Sequence, residues 1–476
     1  MPRSNAVLPA VCLFVLLAAP AAAAQTVSVR PTRETSPARH AGDTADDTCI
    51  WIHPTQPELS LIIGDDKDGG VLVWNLDGTE RQYLDGTQAM NNIDLRYNVP
   101  LTGRFSDGTP HDRVALVGVG NETDSSIVFY KVNPSTRKLE PAGGIRGLGL
   151  VPYGSCMYRS PISGKYYYFV NAKSGVTQQW ELKDDGSGGI TGTKVRQFDV
   201  GGQTEGCVAD DVLAKFYIGE EAIGVWRYGA EPGDGSSRTQ VDRTGSGGNL
   251  VADVEGMSIY YTSSEAGYLL VSSQGNSTIV VYTREGNNAF VGRFTVGANG
   301  TIDAVTGTDG LDVTNLPLGP DFPKGLFVVH DTSNSGATAS NHKLVPWESI
   351  ANAFDPPLRI DTAWDPRRVG APSSGDSDGD GLPDSWEERY FGDLDENGAG
   401  DPDGDGFTNL EEYAAGSDPT DAASRPGTPA AGGGDDSSSG GCGLTGGEAL
   451  LAAAGMLWAG RRRARRTLEY PRRAYF

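Results

Sequence analysis

YIGEEAIGVWRY, from Tyr217 to Tyr228, holds the unit that decides the fold. An apolar strand core begins at Phe216, a polar turn with Glu220 and Glu221 follows, and a second strand then carries Trp226. Just upstream lies another short run, TEGCVAD from Thr204. Outward in both directions the arrangement returns: cores begin at Leu61, Ala115, Tyr168, Phe216, Leu269 and Leu326, spaced 48 to 57 residues apart. The first five are followed by a second strand with an aromatic, at Trp74, Tyr130, Trp180, Trp226 or Tyr282; the sixth lacks a clean second strand. The upstream runs recur as DDTCIW from Asp46, NNIDLR from Asn91, PYGSCMY from Pro152, DVEGMSIY from Asp253 and TDGLDV from Thr308. Three or four strands per copy is the content of a propeller blade, and six blades closed into a ring leave no long exposed edge. A β-sandwich would show turns every ~8–12 residues without this longer period. Helical pattern is nearly absent between residues 30 and 370, so an all-β, six-bladed β-propeller is expected over residues 25–370.

Composition agrees with that expectation. The 476 residues include 65 glycines, which suits a turn-rich β protein. Acidic residues number 62 against 39 basic, a formal charge of -23. Such a chain repels nucleic acid and anionic membranes and attracts divalent cations. Residues 1–24 read as a signal peptide: Arg3 supplies the positive start, Val7 to Leu17 the apolar core, and Ala22 to Ala24 a cleavage site before Gln25. That apolar run falls short of the ~20 residues a membrane span needs. With export, one disulfide among Cys49, Cys156 and Cys207 is permitted, and the sequence does not say which; burial as small apolar residues is the alternative.

The repeat also locates a site, because equivalent positions in successive blades face one axis. The upstream runs contribute Asp46, Asp47, Asp94, Glu205, Asp253, Glu255, Asp309 and Asp312. The turns after the cores contribute Lys67, Asn121, Lys173, Glu220, Glu221, Gln274 and Asp331. Crowded carboxylates repel unless a cation sits among them, and oxygen ligands without sulfur favour calcium. Capping of turns and strand ends is the plainer use of any single one of these acids.

At these residues the chain resembles the β-propeller phytases over residues 34 to about 367. The matching stretches are QTEGCVADD from Gln203, YIGEEAIGVWRY, DVEGMSIYY from Asp253, LLVSSQGNS from Leu269 and TDGLDV from Thr308, with LFVVHD and KLVPWE near the end. The resemblance implies a calcium-dependent phosphomonoester hydrolase acting on calcium phytate, with several calcium ions and two neighbouring phosphate sites. Carried over by position, Asp46, Asp47, Glu205, Glu221, Asp253, Glu255, Asp303 and Asp309 match calcium-site or water-activating carboxylates. Lys67, Tyr153 and Lys173 match phosphate-binding positions, and Glu34 a peripheral ligand. Glu205 is the expected water-positioning group. The chain departs from the family at Glu122, where an arginine for the second phosphate is expected, and at Ser174, Asp68 and Thr48.

Other enzyme signatures are missing. Arg39-His40 is followed by Ala41, Gly42 and Asp43, which does not fit a histidine acid phosphatase, and no GxSxG elbow occurs. The rivals are a calcium-dependent propeller lactonase or esterase and a non-catalytic calcium-binding surface protein. Two lysines in an acidic ring favour phosphate over either.

A second unit spans residues 376–421. DSDGDGLPDSWE sets out Asp376, Asp378, Asp380, Asp384 and Glu387, and DPDGDGFTNLEE sets out Asp401, Asp403, Asp405, Asn409 and Glu412. Both follow EF-hand-like spacing, with Gly at loop position six. The unit resembles thrombospondin type 3 repeats, which bind calcium. Residues 422–441 read as a Pro/Gly/Ser linker. Residues 442–476, with Cys442, an apolar stretch to Gly460 and RRRARR from Arg461, resemble a bacterial C-terminal sorting tail processed by a membrane protease. A simple anchor is the alternative, and either puts a monomeric propeller outside the cytoplasm, in the periplasm, on the surface or secreted.

Overall fold

The structure is a computed structural model that describes residues 25–84, 88–263, 266–365, 367, 380, 382, 384–415 and 417–425. The signal peptide, Asp376, Asp378, the sorting tail and most of the linker lie outside the described residues.

Short strands arise where the sequence places apolar runs between turn residues. Lys215–Glu220 shows why those runs do not alternate with polar residues. Phe216 and Ile218 point into one apolar cluster with Phe169, Phe198 and Tyr228, while Tyr217 points the other way, among Met257, Leu269 and Val280. The sheet is covered on both faces, so both faces must be apolar. Phe169 and Phe216 stack with centroids 4.1 Å apart, joining one sheet to the next.

The strands form five sheets. One is the antiparallel meander Ala45–Trp51, Leu61–Asp66, Val71–Asn75 and Glu80–Leu84. The next holds eight strands in two meanders, Met90–Arg104 to Lys138–Ile145 and Gly154–Arg159 to Ile190–Asp199, joined by one parallel pair, Gly143 with Ile190. Thr204–Asp210 opens a third sheet, and Val254–Tyr261 opens a fourth. The last holds Leu311–Thr314, Leu326–Asp331 and Asn341–Pro346. The opening strand of each meander packs against the next, and Leu311–Thr314 returns to Ala45–Trp51. The architecture is therefore all-β and propeller-like, and α-helix among the described residues is confined to Trp347–Ala351 and two short segments near the C-terminal end.

The sixth copy does have a second strand. Asn341–Pro346 pairs with Leu326–Asp331, and the outer place is taken by Arg33–Glu34. Gln25–Val29 runs parallel to Phe290–Val296 and adds a fifth strand to the sheet before it. The N-terminal segment thus closes the structure by pairing Gln25 with Gly292 and Arg33 with Leu344, a connection invisible to a local pattern. Cys49, Cys156 and Cys207 are all buried. No described helix is long and apolar enough to cross a membrane.

Replacing Phe216 by Ala should cost about 3–5 kcal/mol, because it empties a stacked, fully buried position between two sheets. Ile223→Ser, in the adjacent turn and 43% exposed, should change stability by no more than ~0.5 kcal/mol. Thermal melts of both variants in calcium would check the contrast.

Candidate functional site

The carboxylates converge because the opening strands are bulged and unusually close. Pairing register slips between Ala45 and Thr48, between Thr204 and Cys207, and between Val254 and Met257. The residues inside those slips are Asp46-Asp47, Glu205-Gly206 and Glu255-Gly256, and a bulge re-aims the side chains it contains. Glycine after the acid allows backbone contact with the next strand. A Cβ on Gly206 would lie 2.2 Å from the Glu255 carbonyl oxygen, one on Gly256 2.7 Å from the Gly310 Cα, and one on Gly310 2.3 Å from the Asp47 Cα.

Two triads result, and they share a member. One oxygen each from Asp46, Glu205 and Asp309 lies within 4.8 Å of the others, and the same holds for Glu205, Glu221 and Glu255. All five residues are buried. Burial pushes the Asp46 carboxyl up to about 6, against the pull of Lys67. Glu205 is pushed well up by burial, then by Asp309 and Asp46; Glu255 by burial, then by Asp309 and Glu221. Burial also raises Glu221 and Asp47. Oε1 of Glu221 and Oε2 of Glu255 have no hydrogen-bond partner. Orphaned, buried, oxygen-only ligands fit a hard divalent cation such as calcium.

Lys67 is not an unengaged ammonium at the mouth. Its Nζ lies 2.6 Å from Asp46 Oδ1 and 2.9 Å from Asp309 Oδ2, leaving the side chain 30% exposed. Burial alone would lower its pKa; Asp46 and Asp309 outweigh that and hold it above the ordinary value. Lys173, exposed in its turn, sits 4.1 Å from the ring centroid of Tyr153. The Tyr153 hydroxyl accepts a bond from Gln203 Nε2 at 3.4 Å, and its pKa is raised by burial and then by Glu205. Glu221 N–H donates to Gln203 O at 2.9 Å, so the two turns are stitched together beside the second triad. Asp253 is exposed, in the loop just before Val254–Tyr261.

Several expected residues serve elsewhere. Asp94 accepts the Met157 N–H at 2.7 Å and Asp312 the Ile50 N–H at 2.8 Å, each across a junction between meanders. They line a cavity of about 120 Å³ with Asp47, Arg96 and Asp211, and take no part in the triads. Asp303 is likewise apart: with Glu34 and Asp331 it surrounds the buried Lys343 ammonium, at 2.7, 2.7 and 3.0 Å. Glu122 accepts a bond from Asn91 Nδ2 at 2.9 Å. Asn92, given no role from sequence, places Nδ2 3.5 Å from both Asp46 and Glu205, in a left-handed conformation with φ 58°. Its only signal was its place in NNIDLR, equivalent to the acids of the other runs. Asp65, buried and also overlooked, accepts the Asp47 N–H at 3.0 Å.

Of the C-terminal loops, the second is fully described. Asp401, Asp403 and Asp405 bring oxygens within 4.8 Å of one another. Asp401 accepts N–H bonds from Gly404, Asp405 and Gly406 at 3.0 to 3.1 Å, curling the loop around its acids. Asn409 and Glu412 start the helix Asn409–Ala415; both Glu412 oxygens and Asn409 Oδ1 are buried without a partner. In the first loop, Asp380 accepts N–H bonds from Leu382 and Gly398. Asp384 begins the helix Asp384–Tyr390, which carries the buried Glu387 and Trp386, and Trp386 meets Tyr413 of the second helix at 5.8 Å.

A sign can be put on the pH response. A carboxylate whose folded pKa is raised binds its proton more tightly folded than unfolded, so stability falls as pH rises between the two values. In chelator, melting temperature should therefore drop from about pH 4 through the Asp46 value of about 6, and Asp46 alone accounts for on the order of 3 kcal/mol by pH 7. With calcium bound the drop should vanish. Melts across pH 4–8 with and without calcium would test this; a flat chelated profile would oppose it.

The sequence matches the Phytase family over residues 4–371 and the Bacterial TSP3 repeat over residues 376–392 and 401–422. It is 38% identical over 349 residues to the 3-phytase of Bacillus subtilis (strain 168), covering 72% of this chain and 89% of that protein. A solved structure of BBS1N in complex with ARL6DN overlaps 63% of this chain and 78% of that one at 15% identity, but its TM-score of 0.37 is too low to bear on the fold. The family match spans both carboxylate triads, and the relative shares 38% identity over 72% of the chain; the chain belongs to the Phytase family.

Proposed function

We propose that this phytase-family chain hydrolyses the phosphate monoesters of phytate, with calcium held by the two carboxylate triads, in a propeller of six blades. Counting six treats the eight-stranded sheet as two blades, which its single Gly143–Ile190 junction supports. One observation carries the chemistry: buried acids with orphaned oxygens border two ammonium groups, Lys67 and Lys173. Acids alone would repel a polyanion, and a lactone would need no ammonium.

Calcium bound at the triads would offset the charge of both carboxylates and phosphate and lower the pKa of a nearby water. Glu205 belongs to both triads, so it stands where that water would be oriented and its proton taken. Lys67 would be divided between Asp46, Asp309 and a phosphate oxygen, and Lys173 on Tyr153 would grip the phosphate from the other side. Asp47 and Asp253 would complete the ligand set at its floor and rim. Asp303 and Glu34 would serve a separate cation at the closing strand, where three acids surround one lysine. The loops from Asp376 to Glu387 and Asp401 to Glu412 would hold calcium of their own. Export by residues 1–24, a monomeric state and tail processing at Cys442 complete the proposal.

The test is phosphate release from calcium phytate by the purified chain, beside a lactone and an aryl phosphate. Phytate should be hydrolysed and a chelator should abolish turnover; cleavage of the lactone alone would favour an esterase. Lys173→Ala, which removes an exposed ring contact and no hydrogen bond or ion pair among the described residues, should lower kcat/KM roughly tenfold or more with little change in Tm, since charge-assisted bonds contribute ~1.5–3 kcal/mol. Lys67→Ala should lower both, because it strips Asp46 and Asp309 of their counter-charge. Glu122→Arg should lower KM for phytate and leave aryl phosphate turnover unchanged; equal effects on both would mean Glu122 does not face a second phosphate.

A further inference from the structure

We propose that Cys156 and Cys207 form a disulfide that ties two neighbouring meanders together beside the candidate site. Sequence allowed a bridge among three cysteines; packing separates them. Cys156 lies on Gly154–Arg159 and Cys207 on Thr204–Asp210. A Cβ on Gly154 would sit 1.8 Å from the Glu205 carbonyl oxygen, and Arg159 N–H donates to Asp211 Oδ1 at 3.0 Å. These two contacts, at the start and end of the strands, show that the strands run side by side in the same direction. Each cysteine stands two residues beyond the Gly154–Glu205 contact, which puts the two thiols on facing sides of one junction, in the same apolar cluster. Asn171 holds the same junction, donating Nδ2 to Glu205 O at 2.9 Å and reaching Cys207 Sγ at 3.9 Å. Both cysteines belong to one apolar cluster, whereas Cys49 belongs to another, with Ile63 and Val117.

The chemistry balances with a disulfide-bearing oxidant of the export compartment. Two S–H bonds break, one S–S bond forms, and two electrons and two protons reduce the oxidant to its dithiol. Because both thiols are buried in the folded chain, the bridge forms while the chain folds. It fixes the strand beside Tyr153 and Lys173 to the strand of Glu205, on both sides of the proposed phosphate position.

The test uses the wild-type chain exported to a bacterial periplasm, denatured without reductant, alkylated and mapped by mass spectrometry. A Cys156–Cys207 linked peptide with Cys49 alkylated is the expected result. Reductant should then lower Tm by roughly 5 °C in the wild type and leave a Cys156→Ser, Cys207→Ser double variant unmoved. Alkylation of all three cysteines without reductant, or a bridge that includes Cys49, would overturn the proposal. Neither readout depends on phosphatase activity, so this inference can fail while the enzymatic one stands.

Discussion

Repulsion among five buried carboxylates is the constraint around which the structure is arranged. Asp46, Glu205, Asp309, Glu221 and Glu255 form two triads that share Glu205, and among the described residues Lys67 is the cation paired directly with them. Relaxation by moving apart is blocked. Gly206, Gly256 and Gly310 bring the opening strands into backbone contact, so the acids beside them have no room to retreat. Interior charges without partners cost several kcal/mol each, and proteins answer by protonation or by a counter-ion. Raised pKa values are the first answer, and a divalent cation is the second. A site of this kind is acidic when it releases cations and electrophilic when it holds them, which suits a substrate that is itself a polyanion.

The same residue type is used differently one half-turn of chain away. Asp94, Asp211 and Asp312 lie on or just beyond the same opening strands, yet each accepts a backbone N–H from a neighbouring strand. A carboxylate satisfied by backbone donors needs no metal, and it locks two sheets in register. Arg284 and Asp210 add a fully buried, two-pronged ion pair at 2.6 and 2.8 Å. The opening strands therefore carry two layers of acid: one left hungry for cations, and one saturated by the scaffold that holds the first in place.

Much of this was legible because a propeller repeats. Cores at Leu61 through Leu326 gave the strands, and the acids of the upstream runs gave the central pocket, since symmetry puts equivalent residues on one axis. Legibility stopped where a partner came from outside the repeat. Arg33–Glu34 and Gln25–Val29 complete sheets by pairing with strands almost a whole domain away, and no local period announces that. Lys67 reads as a phosphate hand from its turn, but one of its two ion pairs is made with Asp309, 242 residues further along the chain. Asn92 was passed over because an amide does not look like a ligand, though its position matched the acids. The repeat sets Asp94 and Asp312 in the same runs as the triad acids, because a period cannot say whether a side chain meets a cation or an N–H.

Closure of the ring obeys the same electrostatics as the pocket. Glu34 arrives on the strand that seals the last sheet, and it meets Lys343 together with Asp303 and Asp331. The ammonium is buried, so burial pulls its pKa down while the three acids push it up, and the acids prevail. Three carboxylates around one lysine leave negative charge to spare. Pairing of two backbone residues holds the closing strand weakly by itself, and a buried ionic contact whose members come from both ends of the domain adds to it. Loss of any one acid would leave the lysine short of partners, whereas positive charge added at the acids would offset their excess. A divalent cation held at both places would act at once on the pocket of carboxylates and on the seam that keeps the pocket's walls together.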